Sequence, residues 1–404
     1  MAVSTLDEGD FASRTVGLRV DINSPVDADG SLLDDSRFCA HLETIEELTD
    51  REAAVVIMAH QGRPGREDFT SLEHHAAHLS ELLDTEVEFV DSVFSSEARQ
   101  KIAGLHAGEL LCLENLRFAS EELLTVDPEA GSKTHLVSRL SEVLDVYVND
   151  AFAVAHRSQP SVVGFPKRLP SFAGRLMERE LEVLGDLTVT PTPRAAILGG
   201  AKIDDSLAVL ERLLSDDLVD FVLVGGLLAN AFFVAGDTQP GEAIQADLED
   251  WGYGDTIERA RAAKARFGDQ IIEPTDVVIP QGDTSTTVAV ESFPLEAPPR
   301  DIGPATIDRW QRVLEDVATI VCNGPVGQFE DDRFSTGTNR LFGAVAEAEC
   351  AIAGGGDTSA ALARFDIEGF DHVSTGGGAA LTLLSGQELP GVEALESCTI
   401  ELPH

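Results

Sequence analysis

Short apolar runs recur along the chain, and most end in glycine or polar residues. In order they are Val16–Asp21, Ala53–Ala59, Leu110–Leu113, Val143–Val148, Ala195–Leu198, Phe221–Val224, Thr319–Val321, Ala351–Ala353 and His372–Ser374. Many are followed by stretches with helical apolar spacing. Continuous apolar strands alternating with helices predict an α/β fold of parallel sheets covered on both faces. Ligands of such sheets bind beyond the carboxyl ends of the strands. The unusual residues of this chain fall there. Leu218–Gly236 is apolar enough for a membrane span, but Asp220, Asn230 and the Gly225–Gly226 pair interrupt it, so a buried strand plus helix is expected. Leu169–Leu187 follows helical spacing, and LTVTPTPR with two prolines comes next. That places a junction between two lobes, 1–170 and 191–386, with 171–190 as connecting helix and hinge.

In the first half, cationic and hydrogen-bonding groups gather at the predicted strand ends. RVDIN brings Asp21 and Asn23, two apart and so on one side of an extended segment. DDSR supplies Arg37 at a helix start, HQGR gives His60 and Arg63, ENLRF gives Arg117, and NDAFAVAHR gives His156 and Arg157. A lone arginine is ordinarily a surface ion-pair partner. Four at strand-end loops, in a chain poor in cations, form a basket for a small phosphorylated carboxylic acid, because guanidinium pairs bidentately with phosphate and carboxylate. His74 and His78 share a helix face, but no further metal ligand lies near them in sequence, so an amphipathic helix accounts for them.

The second half has glycine-rich strand ends instead. ILGGAK gives Gly199, Gly200, Ala201 and Lys202; VGG gives Gly225 and Gly226; CNGPVGQFE gives Asn323 and Glu330. CAIAGGGDTSAAL reads as buried strand, tight turn and helix N-terminus, with Gly354, Gly355, Gly356, Asp357 and Thr358 at the turn. Glycines admit a ligand close to the backbone, the helix N-terminus favours phosphate, and the Asp adds a carboxylate suited to Mg²⁺. STGGGA repeats the triplet, bringing Gly376 and Gly377, whose N–H groups form a candidate anion nest. These strand ends suit a nucleotide base and its phosphates. No GxxxxGK[ST] and no GxGxxG occurs, which argues against a P-loop enzyme and a nicotinamide-dependent dehydrogenase.

Charge narrows the partners. The 404 residues hold 29 Lys+Arg against 71 Asp+Glu, a formal net charge of −42. The acids are spread along the whole chain, and lysine occurs only at 101, 133, 167, 202 and 264. Such a surface self-repels in dilute salt and is screened at molar salt, where the Debye length is about 3 Å. A salt-rich, halophilic cytoplasm is inferred, with neither nucleic acid nor anionic membrane as partner. The five cysteines show no CxxC pairing, consistent with a reducing compartment. Residues 1–20 carry no continuous apolar segment after a basic start, so no signal peptide is expected.

RVDIN, DDSR, HQGRP, ENLRF, YVNDAFAVAHR, ILGGAK, CNGPVGQFE, AGGGDT and HVSTGGGA, in this order, closely resemble phosphoglycerate kinase over roughly Val16 to Val392. The acidic composition and GGAKIDDS resemble the archaeal, haloarchaeal branch. The resemblance implies two Rossmann-like lobes with a cleft between them, the segment 387–404 returning to the first. It also implies a monomer that closes by hinge bending, acting on 3-phosphoglycerate or 1,3-bisphosphoglycerate and Mg·ATP or Mg·ADP.

By the same resemblance Asp21, Asn23, Arg37, His60, Arg63, Arg117 and Arg157 match the substrate positions. Gly200, Ala201, Gly225 and Gly226 match the adenine slot, Glu330 the ribose ligand and Asn323 a phosphate contact. Asp357 matches the Mg²⁺ ligand, with Gly354–Gly356 and Thr358 around the phosphates. Arg37 and Lys202, with the N–H groups of Gly376 and Gly377, are the expected catalytic groups. One departure stands out: many members carry a second lysine where this chain has Ser206. It is the sole support for the alternative, a nucleotide-binding homologue that transfers no phosphate.

Overall fold

In a computed structural model of the chain, the described residues are 3–27, 31–236, 240–250, 252 and 256–402. The chain divides into two compact units, Met1–Gly185 with Glu388–His404, and Asp186–Gln387.

The first unit carries strands β1 (Thr15–Arg19), β2 (Ala54–Met58), β3 (Val87–Val90), β4 (Leu110–Leu113), β5 (Val146–Asn149) and β6 (Ser171–Ala173). They form a six-stranded sheet in the order β3-β4-β2-β1-β5-β6, with every pairing parallel. Val16, Leu18, Val55, Ile57, Val146 and Val148 are fully buried against Phe38, Ile45, Leu48 and Leu79 of the covering helices. The apolar runs form strands because helices on the sheet remove those side chains from water, worth roughly 25 cal/mol per Å² of apolar area.

The second unit has the same plan. Strands β7 (Arg194–Leu198), β8 (Phe221–Val224), β9 (Ile271–Ile272), β13 (Thr319–Asn323), β14 (Cys350–Gly354) and β15 (His372–Val373) order as β15-β14-β13-β7-β8-β9, again all parallel. Ile197, Leu223, Ile320, Cys322, Ala351 and Ala353 pack with Ile307, Trp310, Leu314 and Phe342. A separate antiparallel sheet joins β10 (Asp276–Gln281), β11 (Thr284–Ala289) and β12 (Asp301–Ile302).

Two expectations need correction. The predicted helix over 169–187 begins only at Arg175 and ends at Gly185; Ser171–Ala173 is instead the edge strand β6, whose Phe172 packs in the core. The strand expected over Val143–Val148 starts at Val146. Both parallel sheets form as expected, and the antiparallel one is an addition to them. Its strand TSTTVA is half-exposed and polar, so it leaves no apolar run to read. The helix predicted around His74 and His78 forms as Glu73–Leu83, and no group of three His, Cys, Asp or Glu fit to hold a metal occurs among the described residues. Among those residues no helix is long and apolar enough to cross a membrane.

Candidate functional site

In the first unit the polar groups leave the carboxyl ends of four adjacent strands, β4, β2, β1 and β5. Asn23, His60, Arg63, Arg117 and Arg157 come together around a cavity of about 300 Å³, joined by Gly62, Arg66 and Asp68. Arg37, in the first turn of the helix Ser36–Asp50, does not line that cavity but pairs with the buried carboxylate of Asp21. Asn23 Oδ1 accepts the N–H of Gly62 at 2.7 Å, and the Arg117 guanidinium donates to the Gly62 carbonyl. Gly62 has φ +63°, and a Cβ there would lie 2.3 Å from the Asp68 carbonyl oxygen, so only glycine permits this turn.

The basket is strongly cationic and partly desolvated. Burial, then the charges of Arg157, Arg19 and Arg63, push Arg117 down to about 10. Arg157 is lowered for the same first reason, offset by Asp21. Like charges held together away from water are a receptor for an anion. His60 is held well below the usual imidazole range by burial, then by Arg19, Arg117, Arg157 and Arg37. It is therefore a neutral hydrogen-bonding group.

Arg19, a fully buried cation that the sequence reading passed over, donates from Nε to Ser161 Oγ at 3.0 Å and from Nη2 to His60 Nδ1 at 3.2 Å. Ser161 Oγ in turn donates to buried Glu122. An arginine inside an apolar strand run was the signal that could have found it. Arg66, three residues beyond Arg63, was missed as well.

In the second unit five adjacent strands, β15, β14, β13, β7 and β8, deliver the glycine-rich ends. A cavity of about 600 Å³ is lined by Gly200, Ala201, Gly226, Leu227, Asn230, Phe233, Val326, Glu330 and Asp357, among others. Its apolar walls suit a flat base. Asp301, also on this wall, is pushed up to about 7 by burial, although the N–H groups of Gly337 and Ile302 donate to it.

A smaller hollow of about 40 Å³ holds Lys202, Ser206, Asn323, Gly355, Gly356, Asp357, Thr358 and Gly377. The two share Gly200, Ala201 and Asp357. Gly225, Gly354 and Gly376 line neither.

The small hollow is built from helix N-termini. The helix Gly356–Arg364 starts after Gly355, and Asp357 stands exposed in its first turn. Gly355 has φ +93°, and a Cβ on it would meet Asn323 Oδ1 at 2.7 Å. Lys202 precedes the helix Ile203–Ser215, is exposed, and is in no ion pair among the described residues. Ser206 is buried, and its hydroxyl donates to the Gly199 carbonyl at 3.3 Å. Thr358 is more occupied than expected: its hydroxyl donates to the Gly354 carbonyl at 2.6 Å and accepts the Gly324 N–H at 2.8 Å. The Gly376 N–H likewise donates to Ser374 Oγ at 3.2 Å, while Gly377 lines the hollow.

A family model described as phosphoglycerate kinase matches residues 6–387. The phosphoglycerate kinase of Natronomonas pharaonis is 49% identical over 396 residues, covering 97% of this chain and 99% of the relative. That of Halobacterium salinarum is 48% identical over 397 residues, covering 98% and 100%. Among solved structures, phosphoglycerate kinase from Pyrococcus horikoshii OT3 superposes with a TM-score of 0.89 at 41% identity, covering 97% of this chain and 98% of that one.

Proposed function

This chain belongs to the phosphoglycerate kinase family, and from that premise we propose that it transfers a phosphoryl group reversibly between 1,3-bisphosphoglycerate and ADP, giving 3-phosphoglycerate and ATP in glycolysis. The observation that carries the reading is the pairing of chemistries: an arginine-lined basket in one unit and, in the other, a base-sized cavity that runs by shared residues into a hollow of helix N-termini. An acidic phosphate ester suits the first and a nucleotide the second.

In the basket, Arg63, Arg117 and Arg157 neutralise the phosphate and carboxylate, and neutral His60 and Asn23 add hydrogen bonds. Asp21 orients Arg37. In the second unit Gly200, Ala201 and Gly226 flank the base with Gly225 packed behind them against Val326, Glu330 takes the ribose, and Asn323, Gly355, Gly356 and Thr358 shape the phosphate end with Gly354 behind them. Thr358 acts there by fixing the turn.

The exposed carboxylate of Asp357 lies where both cavities meet, and a hard oxygen donor beside phosphates fits Mg²⁺, which keeps most of its waters and accepts one or two carboxylates. Bound there, Mg²⁺ supplies positive charge to the nucleotide phosphates. Arg37 and Lys202, with the N–H of Gly377, stabilise charge on the oxygens of the group in flight, and no general base is needed because the accepting carboxylate is already an anion. In-line transfer requires the two ligands to meet, so closure of one unit on the other is part of the reading, and it excludes water.

On this reading the protein works on small molecules as a monomer in a salt-rich cytoplasm. A non-catalytic homologue finds support only in Ser206, whose hydroxyl is engaged by Gly199 rather than offered to a phosphate. A coupled assay in molar KCl with Mg·ATP and 3-phosphoglycerate tests the proposal. Turnover lost in Asp357→Ala supports it; a wild-type chain that binds ATP but does not turn over overturns it.

A further inference from the structure

We propose that the helix Ser36–Asp50 couples the phosphoglycerate basket to the seat of the helix Arg175–Gly185, with His41 and Asp150 as positioning residues at the centre of the link. The inference rests on the basket reading above and extends it to residues that touch no ligand.

Four side chains on the helix Ser36–Asp50 lie at spacings of four, three and three: Arg37, His41, Thr44 and Glu47. Such spacing sets them in one stripe along a helix. At the stripe's start Arg37 pairs with the Asp21 carboxylate. One turn on, His41 Nε2 accepts the Asp21 backbone N–H at 3.0 Å and lies 3.3 Å from the same residue's carbonyl oxygen. With Nε2 accepting that N–H, Nδ1 carries the ring proton and donates to Asp150 Oδ2 at 2.7 Å.

Asp150 is shared. Its Oδ1 accepts the N–H groups of Leu176 and Met177, at 2.9 and 3.3 Å, and so caps the helix Arg175–Gly185. The same helix start is held from the stripe's far end. Thr44 Oγ1 accepts the Arg175 N–H at 2.9 Å, and Glu47 grips the Arg175 guanidinium through two bonds of 2.6 and 2.7 Å.

His41 is 1% exposed and Asp150 fully buried. An apolar pair of similar size would pack there without the desolvation cost of a carboxylate and an imidazole. What the polar pair adds is a directional chain, in which Asp21, His41, Asp150 and the first turn of the second helix each satisfy the next. Such a chain has little slack, because a displaced partner leaves a buried polar atom unpaired. When an anionic ligand draws on the Arg37 guanidinium, the pull on Asp21 changes, and the change reaches the N–H groups of Leu176 and Met177. By linkage the reverse holds too: the seat of that helix sets the affinity of the basket.

Amide hydrogen exchange at Leu176 and Met177 reads the coupling. In the full-length wild-type chain, saturating 3-phosphoglycerate is expected to slow exchange at these two amides several-fold. In His41→Leu the slowing is lost while titration calorimetry still detects 3-phosphoglycerate. Its KM for that substrate rises about tenfold and its KM for Mg·ATP stays within about twofold, as for loss of one buried polar contact. His41→Gln offers an amide N–H to Asp150 and an oxygen to the Asp21 N–H, and restores the slowing. If His41→Leu does not fold, Asp150→Asn carries the same expectation, since it keeps an oxygen for the helix cap and meets Nδ1–H with a donor. Slowing retained in the folded variants, or absent from a wild-type chain that binds 3-phosphoglycerate, overturns the coupling. A wild-type chain that does not bind 3-phosphoglycerate overturns the basket reading, and the coupling with it.

Discussion

Nη2 of the buried Arg19 lies 3.2 Å from Nδ1 of His60, and because a guanidinium only donates, that ring nitrogen is the acceptor. The ring proton of a neutral His60 therefore sits on Nε2. Burial and the surrounding arginines hold the imidazole well below its usual range, so this tautomer persists where a free histidine would titrate. Nitrogen NMR of the ring is expected to show one neutral tautomer between pH 8 and pH 6, about the free imidazole pKa, and the KM for 3-phosphoglycerate to lack an imidazole inflection there. An inflection in that range that disappears in His60→Gln would remove this assignment.

Gly62→Ala tests how far the basket depends on one backbone turn. The residue has φ +63°, and its added Cβ would press on the Asp68 carbonyl at 2.3 Å. The Asn23 and Arg117 contacts both end on this residue, so relief of the clash moves them. The substitution is expected to cost about 2 kcal/mol or more of stability. It should raise the KM for 3-phosphoglycerate while leaving that for Mg·ATP unchanged. Equal rises in both constants would mean general loosening instead.

Lys202→Ala and Arg37→Ala are expected to lower kcat by about two to four orders of magnitude with modest loss of ligand binding, as for charges that act on the transition state. Among the described residues Lys202 is the only lysine lining the small hollow, and Ser206 contributes no cation there. Retention of more than about a tenth of wild-type turnover, measured in the coupled assay, would take that residue out of the catalytic role.

The strand-end chemistry was legible because polar and glycine residues interrupt apolar runs where a parallel sheet exposes its loops. Asp21, His60, Arg117, Gly200 and Asp357 all sit at such interruptions. The helix over 169–187 was misread because the three-residue strand SFA is too short to break a helical pattern, and only its pairing with Tyr147, Val148 and Asn149 marks it. Arg19 and His41 were passed over for another reason. Each is a polar residue inside an apolar period, and one of its partners (Ser161 for one, Asp150 for the other) is more than a hundred positions away. Periodicity reports which face is buried, not what a buried polar group finds there.

Salt should govern stability. At a net charge of −42 the surface repels itself across distances that dilute buffer leaves unscreened. Dialysis from molar to dilute KCl is expected to unfold the chain, or to lower its melting temperature by many degrees. A melting temperature unchanged between the two would sink the halophilic inference.

His75 makes stability depend on pH between 6.5 and about 4, opposite in sign to Asp301, whose raised carboxyl titrates over an overlapping range. Burial, with His74 and His78 nearby, lowers it from 6.5 to about 4. Gln61 Oε1 accepts the Ser24 N–H, so His75 Nε2–H donates to that oxygen at 3.0 Å, and Nδ1 is buried without a hydrogen-bond partner. A second ring proton would have nowhere to go. As pH falls below 6.5 the unfolded chain takes up this proton and the folded chain does not, so stability drops until about 4, where both are protonated. The full effect is about 3 kcal/mol, and about 2 kcal/mol of it is reached by pH 5. Urea unfolding in molar KCl at about pH 7 and pH 5 is expected to show His75→Gln, which keeps a donor for Gln61, losing about 2 kcal/mol less than wild type between those values. His60 and the acids are common to both proteins and cancel in the comparison. Equal losses would mean that the folded chain protonates His75 in place, and the buried, unpaired Nδ1 would have to find an acceptor.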